Sequence, residues 1–134
     1  MNKKVLILST ENSCRSIIAE ALLNKYLHGV DAVSAGIKTT GKVNLNAKKL
    51  LEKNALWIDE YHSKKLTEVI DENFDLVVMV CDNAIEPCPI FKEDTRVIHI
   101  GYENLDEKNY SYFEKTIKLM KMELTPIIRM ELGL

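Results

Sequence analysis

The sequence predicts an α/β fold built on a doubly wound, four-stranded parallel sheet with helices on both faces. Short, continuously apolar segments occur at residues 4–8 and 75–80, which is typical of strands buried on both faces of a parallel sheet. Segments with apolar residues at helical spacing lie between and after them. Strands that alternate with helices favour a doubly wound sheet with right-handed crossovers.

The predicted elements follow the order β-α-β-α-α-β-β-α. Weaker strands are predicted at residues 31–34 and 96–100, and helices at residues 16–28, 46–54, 63–70 and 111–124. Pro126 is expected to kink or end the last helix, because proline lacks an N–H and clashes with the preceding turn. A short helical tail is expected at residues 127–132.

Length and charge predict one domain, residues 1–134, in a monomer. The 18 basic residues are balanced by 20 acidic ones, so the chain carries no bulk positive field for a nucleic acid. No apolar run reaches the roughly 20 residues that span a bilayer. The apolar segment behind the basic N-terminus is too short for a signal peptide, so we expect a cytoplasmic protein without a membrane partner.

The chain has three cysteines, Cys14, Cys81 and Cys88. An odd number argues against a disulfide-stapled secreted fold. In a reducing compartment such thiols serve as buried small hydrophobes, metal ligands or redox groups. The six-residue gap between Cys81 and Cys88 is not a usual zinc spacing, which disfavours a zinc site.

The loop that joins the first strand to the first helix has the features of an anion site. Its backbone N–H groups can turn inward as a nest, and the helix N-terminus adds partial positive charge. Arg15 can add a fork of donors for a tetrahedral oxyanion. An ordinary turn in which Ser13 or Asn12 caps the helix explains the same residues. The candidate oxyanion-binding residues are Thr10, Glu11, Asn12, Ser13, Cys14, Arg15 and Ser16.

The same loop resembles the phosphate loop of the low-molecular-weight protein tyrosine phosphatases. The run 12–16 (NSCRS), followed by Ala19 and Glu20, is similar to the thioredoxin-coupled arsenate reductases that share this fold. The resemblance continues in register over nearly the whole chain. Its most specific part is a pair of cysteines, Cys81 and Cys88, after the third strand, because simple phosphatases of this fold do not need them.

The resemblance implies a relay of thiols that reduces arsenate to arsenite for arsenic detoxification. A loop cysteine attacks arsenate, a second thiol attacks that sulfur and releases arsenite, and a third presents the resulting disulfide to thioredoxin. Cys81 and Cys88 match the second and third thiols, and we expect them to form a disulfide under mild oxidation. Ser9 stands at the nucleophile position, and Arg15 matches the oxyanion-binding arginine.

Three residues depart from the family pattern. Ser9 is un-ionised at neutral pH without a base, and its oxygen cannot take part in a disulfide step. Glu11 replaces a glycine, and a carboxylate 6–8 Å from a bound dianion would repel it by about 2–3 kcal/mol per unit charge. Asn104 replaces a general-acid aspartate, leaving Glu103 or Asp106 as substitutes if the loop is rearranged.

The resemblance also implies a potassium site at Asn12, Glu20 and Ser34. The Lys64 ammonium falls near that site in register and offers a replacement for the ion. A hydrogen-bond network without metal accounts for the same residues, and no other cofactor is expected. The expected partners are an arsenate, phosphate or sulfate oxyanion and thioredoxin as the reductant.

Three functions remain open from the sequence. The chain is an arsenate reductase whose nucleophile is a serine, natural or introduced to trap a bound state. Alternatively it is a divergent homologue that binds an oxyanion or a partner without catalysis. A low-molecular-weight protein tyrosine phosphatase is disfavoured, because the nucleophile and the acid are absent while the relay thiols are present.

Overall fold

The structure, a computed structural model, describes residues 2–39, 41–81 and 95–134. Its four strands are β1 (Lys3–Ser9), β2 (Val30–Gly36), β3 (Leu76–Met79) and β4 (Val97–His99). They pair in parallel in the order β2-β1-β3-β4. The α-helices are α1 (Arg15–Tyr26), α2 (Leu45–Lys53) and α3 (Tyr110–Glu131). The predicted α/β class with a four-stranded parallel sheet is confirmed.

The central strand β1 alternates its side chains between two apolar layers. Val5 and Ile7 face the layer that contains the buried sides of α1, α2 and α3. Leu6 and Leu8 face a smaller layer on the other side, which includes residues of β3 and of a short 3₁₀ helix, Leu66–Glu68. Burial on both faces explains why this strand is continuously apolar in the sequence.

Helix α1 is buried on more of its circumference than its apolar stripe predicts. Every residue from Arg15 to Leu23 is buried, including Arg15, Ser16 and Glu20. Buried polar groups require hydrogen-bond partners. The first turns of α1 therefore belong to a polar network as well as to the core.

The helix predicted at residues 63–70 is mostly absent, and only the 3₁₀ turn Leu66–Glu68 forms. Lys65 instead pairs with Gly36 as an isolated parallel bridge that extends the β2 edge. The Lys64 amide donates to the Asn12 side chain at 2.8 Å. These contacts hold residues 64 and 65 in place beside the β1–α1 connection, which leaves only the following residues to form a helical turn.

Of the two effects expected of Pro126, a kink or an end of the last helix, the end is wrong. Pro126 lies inside α3, which continues to Glu131. Proline removes the hydrogen bond to the carbonyl of Met122, which is on an exposed part of the helix where water can replace it. Leu124 and Ile128, on either side of the proline, are completely buried. Their packing holds the helical path against the local preference of the sequence.

At 22 residues, α3 has the length to cross a bilayer. Neither α3 nor any other helix of the described residues combines that length with sufficient apolar character.

Candidate functional site

The connection from β1 to α1, residues 9–16, lies at the carboxyl edge of the sheet. In the strand order β2-β1-β3-β4, the chain moves to one side of β1 after the first strand and to the other side after the second. Such a switch point is where open parallel sheets bind ligands, beyond the ends of their strands. We call residues 9–16 the β1–α1 loop. It presents the start of α1, at Arg15, to this edge.

The loop is closed around the hydroxyl of Ser9. Ser9 Oγ accepts a hydrogen bond from the Asn12 amide at 3.1 Å and lies 2.7 Å from Ser16 Oγ. Neither of these partners is a base that could take the hydroxyl proton. Ser9 is 2% exposed, so its oxygen lies inside the curve of the loop rather than at the surface.

Asn12 fixes the shape of the loop. Its φ of 52° lies in the left-handed region, which asparagine tolerates better than most residues. Its side-chain nitrogen donates to Ser16 Oγ at 2.7 Å and to Ser34 Oγ at 2.9 Å, and its side-chain oxygen accepts the Lys64 amide. Neither Asn12 nor Ser13 caps α1. The N-cap is Cys14, without a side-chain cap.

The residues proposed for potassium form a hydrogen-bond network that contains a lysine ammonium. Ser34 Oγ donates to Glu20 at 2.6 Å. Lys64 is buried, and its Nζ donates to the carbonyls of Ser34 at 2.9 Å and His62 at 3.2 Å. Burial raises the pKa of Glu20, while the hydrogen bond from Ser34 and the charge of Lys64 oppose that rise.

Gly36, the last residue of β2, allows the loop to pack against the sheet edge. A Cβ at this position would lie 2.9 Å from the Glu11 carbonyl carbon and 3.0 Å from Asn12. The amides of Ile37 and Lys38 donate to the carbonyls of Ser9 and Thr10 at 3.2 and 2.8 Å. Backbone contacts thus support the outer side of the loop, and they require the absence of a side chain at Gly36.

Asp106 covers the mouth of the loop. Its carboxylate accepts hydrogen bonds from Ser13 Oγ at 3.0 Å and from the Cys14 thiol at 3.1 Å, and Asn44 lies at 3.5 Å. Asn104 produces this placement, because its side-chain oxygen accepts the Asp106 amide at 3.0 Å. The residue at the expected acid position therefore shapes a turn, and the carboxylate over the loop comes from two residues further along.

The carboxyls of Glu11 and Asp106 affect each other's protonation, and their pKa values move apart. The hydrogen bond with Asp106 raises the pKa of Glu11, and burial and charge repulsion add to the rise. Burial acts to raise the pKa of Asp106, but hydrogen bonds from Glu11, Cys14, Ser13 and Asn44 outweigh it and hold that pKa below its ordinary value. Asp106 is therefore the ionised member of the pair, and Glu11 takes up a proton first as the pH falls.

Cys14 is a protonated thiol in this environment. Burial raises the pKa of the Cys14 thiol far above its ordinary value, and the hydrogen bond and negative charge of Asp106 raise it further. A thiol that stays protonated is a weak nucleophile. Cys14 therefore does not supply the thiolate that the nucleophile position lacks.

Arg15 is buried at the first turn of α1, and one of its guanidinium nitrogens donates to the Tyr102 carbonyl at 3.0 Å. Its charge lowers the pKa values of Glu11 and Cys14 against the effects that raise them. The guanidinium is therefore close to the mouth of the loop, where the sequence predicts an oxyanion donor.

Of the two relay cysteines, only Cys81 lies within the described residues. Cys81 follows β3, is 1% exposed and lies in the apolar layer around Leu6 and Leu8. The imidazole of His99, at the end of β4, contacts the Cys81 carbonyl. Cys88 and the expected Cys81–Cys88 disulfide lie outside the described residues.

Three contributors to the site have weak signals in the sequence. Asp106 is expected only as a substitute acid, Asn44 is not predicted although it caps α2 and approaches Asp106, and Gly36 matches the family without indicating its contact with the loop. An asparagine two residues before an aspartate is a turn signal that indicates a placed carboxylate. The close approach at Gly36 has no comparable local signal.

The fold and the loop agree with comparisons to known proteins. Residues 4–124 match the low molecular weight phosphotyrosine protein phosphatase family, and the chain belongs to that family. It is 37% identical over 123 residues to an arsenate reductase of Halalkalibacterium halodurans, covering 86% of this chain and 88% of that protein. The crystal structure of arsenate reductase from Archaeoglobus fulgidus superposes with a TM-score of 0.82 at 27% identity, covering 92% and 98% of the two chains.

Two more distant structures share the fold. An arsenate reductase in the phosphate binding state has a TM-score of 0.74 at 22% identity and covers 94% of this chain and 96% of its own. A thioredoxin-dependent arsenate reductase of Corynebacterium glutamicum has a TM-score of 0.72 at 23% identity, covering 96% of this chain and 63% of its own. The resemblance to arsenate reductases of this fold is confirmed.

We predict that Asp106→Asn makes Cys14 more reactive toward iodoacetamide. Burial of the thiol persists in the variant, but the negative charge of Asp106, which also raises the pKa of Cys14, is removed. The thiolate then forms at lower pH, and alkylation at pH 8 should be about threefold to tenfold faster. Mass spectrometry of the peptide that contains Cys14 measures the rate separately from the other cysteines.

Asp71→Asn is the matched control, since it removes the same charge from an exposed turn before β3. It should leave the alkylation rate of Cys14 unchanged. Equal rates in Asp106→Asn and in the control would contradict the contact between Asp106 and the thiol.

Proposed function

We propose that this chain is a member of the arsenate reductase branch that binds a tetrahedral oxyanion in the β1–α1 loop and, with Ser9 at the nucleophile position, does not reduce it. The observation that carries the proposal is the loop closed around Ser9 Oγ at the start of α1, with the Arg15 guanidinium close by. Arsenate, phosphate and sulfate share the chemistry that such a loop accepts. The name of a relative at 37% identity supports arsenate as the substrate class.

The electron balance explains why Ser9 blocks the reduction. Arsenate becomes arsenite by gaining two electrons, which two thiols supply when they form one disulfide and release their protons. A serine oxygen bound to arsenic cannot form a disulfide with Cys81, so the relay cannot deliver its two electrons through position 9. Water or hydroxide would break the bond between the Ser9 oxygen and arsenic and release arsenate unreduced.

The remaining thiols support the arsenate reductase branch over a phosphatase. In the relay that the resemblance implies, Cys81 attacks the first sulfur, which this chain lacks at Ser9, and Cys88 then takes over the disulfide and presents it to thioredoxin. A structural neighbour described as thioredoxin-dependent supports that reductant. An odd number of cysteines is typical of a protein that keeps its thiols reduced, so we place the protein in the cytoplasm.

Lys64 supports a second part of the proposal, that this chain supplies its own cation beside the loop. The Lys64 ammonium donates to two backbone carbonyls, and its charge acts on Glu20, one of the residues that the resemblance implies for potassium. A buried carboxylate needs a positive partner, and the lysine provides one within the chain. We infer that Lys64 takes the place of a potassium ion here.

Ser9→Cys places a sulfur at the nucleophile position. We expect the variant to gain arsenate-dependent oxidation of thioredoxin, because a sulfur at this position completes the relay. The rate, followed as NADPH consumption with thioredoxin and thioredoxin reductase, should exceed that of the unchanged chain by at least about hundredfold, a range typical for a lost nucleophile.

Ser13→Cys is the matched control, since it adds a thiol to the same loop at a position that does not attack, and it should remain silent. Ser9→Cys combined with Cys81→Ser should also be silent. If Ser9→Cys gives no activity while phosphate still binds, the result contradicts a relay interrupted only at Ser9. It then supports the alternative of a divergent homologue that binds an oxyanion without catalysis. Turnover of an aryl phosphate without thioredoxin oxidation would favour the phosphatase.

Lys64→Gln removes the buried ammonium. Loss of the ammonium leaves Glu20 buried without its cation, so the melting temperature should fall by several degrees in choline chloride. Potassium chloride at equal ionic strength should restore part of the loss. The unchanged chain should melt at the same temperature in both salts.

Lys65→Gln serves as control, because Lys65 is the exposed neighbour of the buried lysine. It should show no difference between the two salts. A potassium-dependent melting temperature in the unchanged chain would contradict the replacement of the ion by Lys64.

A further inference from the structure

The mouth of the β1–α1 loop carries negative charge, which is unusual for a site that accepts an anion. The Asp106 carboxylate accepts hydrogen bonds from Ser13 Oγ at 3.0 Å and from Cys14 Sγ at 3.1 Å, and both donors belong to the loop itself. Glu11, also in the loop, interacts with Asp106. An oxyanion cradled by the loop amides therefore has a carboxylate as a neighbour, and Arg15 is the opposing cation.

A carboxylate beside an oxyanion distinguishes ligands by their protons. It repels an oxygen that is fully ionised, but it accepts a hydrogen bond from an oxygen that carries a proton. Arsenate and phosphate keep at least one proton at neutral pH, whereas sulfate keeps none. Ser13 and Cys14 already donate to Asp106, which holds the carboxylate in place for this contact.

We infer that Asp106, assisted by Glu11, makes this loop selective for oxyanions that carry a proton, so that it accepts arsenate and phosphate and rejects sulfate. The inference rests on the proposed oxyanion loop and narrows its ligand class. Asp106 acts as a specificity residue, because its carboxylate accepts a hydrogen bond only from a ligand oxygen that carries a proton. The low pKa of Asp106 supports this role, since the group remains an acceptor at neutral pH.

The groups that face Asp106 are consistent with this selection. Cys14 stays protonated and donates, Ser13 and Asn44 donate, and Glu11 contributes a second carboxyl. These donors occupy positions around Asp106 but add no positive charge. Selection against a fully ionised ligand therefore depends on the negative charge of Asp106, which opposes the attraction of Arg15 for that ligand.

Isothermal titration calorimetry with inorganic phosphate and with sulfate tests the inference at pH 7 and constant ionic strength. We expect the unchanged chain to bind phosphate at least about tenfold more tightly than sulfate. Asp106→Asn removes the repulsion, so the two affinities should come within about threefold of each other, mainly through tighter binding of sulfate. Asp71→Asn, which changes the net charge equally, should keep the original ratio.

Equal affinities in the unchanged chain, or a phosphate preference that survives in Asp106→Asn, would overturn the inference while leaving the oxyanion loop in place. Binding of neither anion by the unchanged chain would overturn the proposed function as well.

If Asp106→Asn binds neither anion, a second pair of anions on the unchanged chain decides. Arsenate should bind at least about tenfold more tightly than selenate at pH 7, because the two anions are similar in size and only arsenate carries a proton. Equal affinities for arsenate and selenate would overturn the inference.

Discussion

The side chain of Asn12 is the contact on which the rest of the site depends. It reaches Ser16 at the start of α1, Ser34 on β2 and the Lys64 amide, and so joins three separate parts of the chain. The left-handed backbone of Asn12 turns its own amide toward Ser9 Oγ. Loss of this side chain would leave several buried donors and acceptors without partners, each costing about 1–3 kcal/mol.

Charge is balanced separately on the two sides of the loop. Behind it, the Lys64 ammonium donates to the Ser34 carbonyl, and its charge acts on Glu20, which accepts from the Ser34 hydroxyl. In front of it, Asp106 and Glu11 lie at the mouth, and the charge of Arg15 acts on Glu11. The inner network stabilises the loop without a ligand, whereas the outer group decides which ligand can bind. The absence of a sulfur at position 9 blocks the proposed reduction, but it does not alter the charges behind the loop or at its mouth.

The sequence predicts the parts of this structure that depend on local pattern. Buried strands such as β1 have an apolar run, and the β1–α1 loop has polar residues at a strand–helix junction, so both are predictable. Asp106 contacts Ser13, which is 93 positions away in the chain, and a turn at Asn104 places it there. A local sequence pattern cannot predict a contact between residues so far apart. Pro126 likewise lies in a helix because buried neighbours override its own preference.

The most direct test of the account is a phosphate titration of the ¹⁵N-labelled chain followed by amide NMR. The account predicts that the largest saturable shifts belong to the amides of residues 12–16, because these line the cradle at the start of α1. Shifts that are absent, or that centre on another part of the chain, would contradict the claim that the β1–α1 loop holds an oxyanion.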